Sequence, residues 1–275
     1  MTLQHDTTSP QDSDTFHDQW AAWHAAHETR RADAHGFLAI TGLTWLDEQP
    51  QQIGGVPGSW STGPDGPVVE LAPGEQLVVD GDPVTGRYAF GSIPERGGRT
   101  ATAGDVAIEV ARRGGNDIVR PRDPAYGPRL RYTGTPTYAP DPRWHVTGRY
   151  VPFDVPRPTT VGAAVEGLEH VYDAPGSIEF SLDGQSLSLT AFEGPTPGSL
   201  SVLFTDATSG VTTYAANRAL LVDPPGPDGT VTLDFNRATN LPCAYTEFAT
   251  CPLPPAENRL AVAVEAGEQI PVALR

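Results

Sequence analysis

The chain contains no lysine. All 18 of its basic residues are arginine, against 34 acidic residues, and the formal net charge is −16. Nucleic-acid binding requires a basic footprint that displaces phosphate counterions, so this balance excludes nucleic acid as a partner. The same acidity favours solubility and repels anionic membranes. No apolar run approaches the ~20 residues that span a bilayer. The opening stretch MTLQHDTTSPQDSD lacks the basic start and apolar middle of a signal peptide. There are only 2 cysteines and no Asn-x-Ser/Thr acceptor, which argues against a secreted disulfide scaffold. Together these absences predict a cytoplasmic protein with no membrane partner.

Turn-forming residues, by contrast, are plentiful. The 29 glycines and 28 prolines make up about a fifth of the 275 residues, a composition that suits short strands joined by tight turns. The expected fold is mainly β, an antiparallel barrel or sandwich with an N-terminal helix and a small additional β-module. Residues 1–13 are expected to be a disordered tail. Residues 14–50 are expected to hold the helix and a strand, 51–120 the small β-module, and 121–275 the C-terminal β-domain.

Phe16, Trp20, Trp23 and His27 recur at helical spacing, and Arg30 and Arg31 suit the negative end of the dipole of a helix over roughly 14–34. Gly36–Leu46 reads as a largely buried strand with a glycine break, and Gly54–Gly66 as a turn-rich stretch. Asp80-Gly81 and Asp183-Gly184 each follow an alternating apolar run and predict two-residue hairpin turns. Residues 121–143, rich in Pro, Arg and Tyr, read as an extended connector. Period-two alternation then dominates at Trp144–Val151, Ile178–Leu182, Leu200–Phe204 and Val231–Phe235.

Chemistry concentrates towards the C-terminal end. With Val231, Leu233 and Phe235 facing the core, Asp234 and Asn236 are expected to share the opposite strand face, about 7 Å apart at the backbone. That spacing suits one polar ligand, although a solvated outer face has the same pattern. Residues 236–259 (NRATNLPCAYTEFATCPLPPAENR) form an aperiodic, proline-stiffened loop carrying Cys243 and Cys251. These read either as buried structural cysteines or as a nucleophile activated by a base, for which His145 is the candidate. A disulfide requires Cα atoms within ~7 Å, and zinc would need two further ligands. No metal or particular cofactor is implied. Tyr214 and Arg218, four apart, are expected on one face of a return strand. Beside Asp206 or Asp234, Arg218 reads as a buried ion pair or an anion clamp.

These residues resemble a known family. DATSG with Tyr214 and Arg218, then LDFNRATN, PCAY, ATCPLPP, ENRL and VEAGE, are similar to the signature of a bacterial and archaeal family, domain of unknown function 1684. GLTWLDE…IGG resembles that family's opening segment. The resemblance covers roughly 36–55 and 120–269. It implies that Asp206, Thr208, Ser209, Tyr214, Arg218, Asp234, Asn236, Asn240, Cys243, Cys251 and Asn258 are motif positions. This chain departs at 239 and 241, where it has Thr239 and Leu241 in place of an aromatic and a proline. The resemblance implies no activity. The residue types alone allow an enzyme or a non-catalytic binder acting on a small polar metabolite. The catalytic candidates are Cys243, Cys251, Asp234 and His145. The ligand-binding candidates are Asp206, Thr208, Ser209, Tyr214, Arg218, Asn236, Asn240 and Asn258. A purely structural role for the block is the remaining reading.

Overall fold

The structure, a computed structural model, describes residues 10–272, with side chains from Asp14 onward. Of the expected tail, residues 1–9 lie outside the described residues. The helix starts within the rest of it, at Pro10, and runs to Arg31. Proline suits a first helical turn because its missing N–H would have no partner there anyway. Phe16, Trp20, Trp23 and His27 are half-buried and Arg31 is buried, so one face of the helix lies on the protein.

The chain then builds two antiparallel sheets that share a core. One runs, in spatial order, through the strands Thr44–Trp45, Asn116–Arg122, Val106–Arg113, Gly98–Ala103, Leu77–Val79 and Asp82–Val84. The other contains Gln51–Gln52, Ser59–Gly63, Gly66–Glu70 and Arg87–Ala89. Trp60, Val69, Leu77, Phe90, Ile108, Val110 and Val119 are buried in their shared cluster. Two sequence expectations are corrected here. Residues 36–46 are not a continuous strand. They form a one-turn helix at Phe37–Ala39 and meet the strand Asn116–Arg122 at Ile40–Thr41 and again at Thr44–Leu46. The stretch 54–66, expected to be turns, contains the strand Ser59–Gly63, in which only Trp60 is fully buried.

The C-terminal half is a single six-stranded sheet curled into a half-barrel. Its spatial order is Arg218–Val222, Leu200–Phe204, Gln185–Glu193, Glu169–Leu182, His145–Gly162 and Thr230–Asp234. The two long strands shift register between Pro152 and Arg157. Pro152 and Pro156 lack the donors a regular ladder needs, which suits a bulge. Asp183 (φ 49°) and Gly184 (φ 75°) take the left-handed conformation of a tight hairpin turn, as do Asp80 and Gly81.

An extended strap completes the core. After the last strand, Leu260, Val262, Val264 and Ala266 alternate into the half-barrel and join Ile178, Leu189, Val202, Phe204, Leu220 and Leu233. Fully burying one such side chain stabilises by about 1.5–3 kcal/mol. The strap starts parallel to the chain after Phe204, with Thr205 donating to the Asn258 carbonyl and Leu260 N to the Thr205 carbonyl. It ends at Gly267 (φ 73°). A Cβ there would sit 2.5 Å from the Ala238 carbonyl oxygen, so only glycine fits.

Candidate functional site

Three polar groupings surround this half-barrel. The first holds the strap in place. Asp206 is buried in the turn after Leu200–Phe204, and its carboxylate accepts from Thr208 Oγ1 (2.8 Å), Ser209 Oγ (3.1 Å), Val264 N (2.7 Å) and Arg218 Nη2 (3.3 Å). The Arg218 side chain is 1% exposed. It also donates to the strap carbonyls of Val264 (3.1 Å) and Ala266. Burial pushes the Arg218 pKa down, with Asp206 acting against it. Asn258 accepts from Thr190 N (2.7 Å) and donates to the carbonyls of Thr190 and Leu203 (both 2.8 Å). Asn240 takes the same part at the far end, donating through its amide to the Gln269 carbonyl and through its backbone to Glu268. Asp206, Thr208, Ser209, Arg218, Asn240 and Asn258 thus turn their polar atoms inward, onto the chain itself.

Two expected shared faces do not form. The strand Thr230–Asp234 ends at Asp234, which caps a one-turn helix Phe235–Arg237 and accepts from Asn236 N and Nδ2. The turn carries Asn236 inward to 2% exposure, where its amide exchanges hydrogen bonds with the Asp141 backbone. Similarly the return strand begins only at Arg218, so Tyr214 lies in the preceding loop. Arg218 enters the core, while the Tyr214 hydroxyl donates to the Cys243 carbonyl at 3.0 Å.

The second grouping contains the thiols. Cys243 sits in the turn Pro242–Ala244, half-exposed beside a cavity of about 760 Å³, with Cys251 buried behind it. Both are free, and Cys243 N donates to Cys251 Sγ at 3.2 Å. The Cys251 thiol donates to the Cys243 sulfur and is the main reason the Cys243 pKa falls below the ordinary thiol range. Tyr214 adds to this, and burial opposes it. For Cys251 the same bond, with burial, pushes the pKa up. Tyr214 is also pushed up, by burial first and by Cys243 second, so it is a donor here and not a base.

The third grouping lies where the half-barrel fails to close. The edge strands Arg218–Val222 and Thr230–Asp234 approach each other without pairing, and the N-terminal helix lies over the seam. A cavity of about 470 Å³ opens there. His145 and Asp234 are direct cross-strand partners on its floor. Asp234 is oriented by Asn236 and by Arg237 Nε at 3.1 Å. Trp23, His27 and Arg30 form the helical wall, with Trp23 stacked on His27 and Arg237 over the Trp23 ring. His145 lines this cavity and Cys243 lines the other. Periodicity alone could not relate the loop between Pro242 and Pro252 to the strand from His145.

Sequence reasoning missed a buried network that docks the helix. Arg31 pairs with Glu268 at 2.6 Å and donates to Glu28 and Thr135. Tyr245 joins through Thr135 (2.8 Å), and Tyr132 donates to Glu28. Burial and that bond to Glu28 push the Tyr132 pKa up to about 12. Trp20 Nε1 adds a bond to the Asn236 carbonyl at 2.9 Å. The available signal was His27 and Arg31, four apart on the aromatic face, but their partner Glu268 is too distant in sequence to be found by spacing.

Among the described residues no group of three or more His, Cys, Asp or Glu could hold a metal. No helix among them is long and apolar enough to cross a membrane.

Fold and polar core together define an antiparallel half-barrel domain whose motif residues tie down an extended strap. A family model described as a protein of unknown function, DUF1684, matches residues 130–269, just over half of the chain. The chain belongs to the DUF1684 family. An uncharacterized protein of Haloarcula marismortui, with a structure determined by solution NMR, is 33% identical. That match covers 51% of this chain and 78% of the other, with a TM-score of 0.43. No curated protein matches.

Proposed function

We propose that the protein binds a small polar metabolite in the cavity at the open seam of the half-barrel. The observation that carries this reading is the cross-strand pair of His145 and Asp234 on the floor of a 470 Å³ cavity walled by Trp23, His27 and Arg30. That volume lies in the range of small-molecule sites, and convergent polar groups beside an aromatic wall are their usual lining. Arg237 and Asn236 fix the Asp234 carboxylate before any ligand arrives. Pre-organisation of this kind lowers the cost of binding. His145 is exposed and is the group suited to exchange a proton with the ligand, with Asp234 as its charged neighbour. In this reading the motif residues Asp206, Thr208, Ser209, Arg218, Asn240 and Asn258 support the site by fixing the strap, and Asn236 does so by orienting Asp234.

The test is a thermal-shift screen of the full chain against carboxylic acids, phosphates, amino acids and sugars. One of these classes is expected to raise the melting temperature, since a ligand at a hundred times its Kd stabilises by about 2.7 kcal/mol. His145→Ala should weaken that shift. Thr232→Trp, which fills the cavity from an exposed floor position, should abolish it. No shift with any class, or a shift that survives Thr232→Trp, rejects the seam cavity as the site.

A further inference from the structure

We propose that Cys243 and Cys251 form a dithiol site that exchanges with a low-molecular-weight disulfide entering the 760 Å³ cavity beside Cys243. The argument rests on the asymmetry of the pair. Cys243 is half-exposed on the cavity wall, next to Tyr245 and Phe248. Cys251 is buried at 7% exposure behind it, with its sulfur 3.2 Å from Cys243 N. An attacking thiol needs access and thiolate character, whereas a resolving thiol needs only to lie within reach of the first. Cys251 Sγ lies 3.2 Å from Cys243 N and the Tyr214 hydroxyl donates to the Cys243 carbonyl at 3.0 Å, and with Cys251 first and Tyr214 second lowering the Cys243 pKa, thiolate is favoured at this position.

The backbone around Cys251 is anchored on the half-barrel. Its carbonyl accepts from Ala164 N at 2.8 Å, the Pro252 carbonyl from Asn217 Nδ2 at 2.6 Å, and Leu253 N donates to the Gly162 carbonyl at 2.8 Å. Cys251 is thereby held against the hairpin of the two long strands, behind Cys243.

The exchange balances in two steps. The Cys243 thiolate attacks one sulfur of the incoming disulfide. A Cys243 mixed disulfide forms, and the first small thiolate leaves with the electron pair of the broken S–S bond. Cys251 then loses its proton, which goes to the departing thiolate or to water, and attacks the Cys243 sulfur. The internal disulfide forms and the second small thiolate leaves. Two protein thiols are oxidised and one small disulfide is reduced to two thiols.

The test treats the full chain with hydroxyethyl disulfide, quenches with acid, alkylates the remaining thiols and measures the intact mass. The wild type is expected to lose both alkylatable thiols while carrying no added hydroxyethylthio group. Cys251→Ser should stop at one mixed disulfide, mapped to Cys243. Cys243→Ser should react at Cys251 at least about tenfold more slowly than the wild type does at Cys243, because burial shields that thiol. The proposal is overturned if the wild type keeps two thiols, carries an adduct on each, or cross-links two chains. It is equally overturned if Cys251→Ser folds and gains no adduct. Should that variant fail to fold, the thiol count and mass of the wild type decide alone.

Discussion

Among the described residues three arginines are buried beside carboxylates, and two of them, Arg218 and Arg31, are compensated differently. Arg218 and Asp206 lie within the family segment, exposed to 1% and 0%. Arg31, from the helix that precedes that segment, meets Glu268 within it, and both are 2% exposed. Around Arg218 most of the compensation comes from strap carbonyls and one shared carboxylate, and burial wins, pushing its pKa down. Around Arg31 burial is again the largest single influence. Glu268, Tyr245 and Tyr132 together outweigh it and raise the pKa. The first pair fixes the core of one domain. The second attaches a helix to that domain through an excess of partners. A buried pair is weak evidence of net stabilisation, but removing one member of it is costly.

The contrast can be broken most sharply at Arg218. Arg218→Ala leaves Asp206 charged and buried, and should cost about 3–5 kcal/mol in chemical denaturation. A smaller cost than that of Arg31→Ala would reverse the comparison. Arg31→Ala should fall at the low end, about 3 kcal/mol, because Glu268 keeps the Asn240 backbone N–H. Its signature is loss of amide-exchange protection in Pro10–Arg31 while the half-barrel stays protected.

Asn258→Ala sharpens the account of the strap. It strands Thr190 N and two carbonyls, and should cost about 1–3 kcal/mol. A smaller effect is expected from acid. Glu268 is pulled up by burial, yet His27, Arg31 and the Asn240 N–H hold it below its ordinary 4.5. A carboxylate with a depressed folded pKa contributes fully above its unfolded pKa, and the contribution is lost as pH falls through the folded value. Denaturation midpoints should therefore decline below about pH 4.5 more steeply in the wild type than in Glu268→Gln. The mildest change is Trp20→Phe, which removes the bond to the Asn236 carbonyl while leaving an aromatic ring beside His24, and should cost about 1 kcal/mol by thermal melting.

What the sequence made legible follows from which constraints are local. Alternation marked Trp144–Val151, Ile178–Leu182 and Val231–Phe235, because strands with one wet face must alternate. Asp80-Gly81 and Asp183-Gly184 were legible because few residue pairs accept positive φ at both positions. Ser59–Gly63 was not, since Trp60 is its one large apolar residue. The motif residues could be named without their partners. Asp206 meets Val264, and Asn258 meets Thr190, across separations that no periodicity encodes. The end of the strand at Asp234 was hidden because Phe235 keeps the apolar rhythm while the backbone has already turned.

The strap also matters for how the chain is synthesised. Every strand of the half-barrel precedes residues 258–267, yet Leu260, Val262, Val264 and Ala266 occupy its core. On a ribosome adding about 5–20 residues per second, the six strands emerge before the segment that fills them. For those seconds the sheet is an open trough with apolar walls, and Arg218 lacks the two carbonyls it will later hold. The half-barrel core is closed only when the strap arrives.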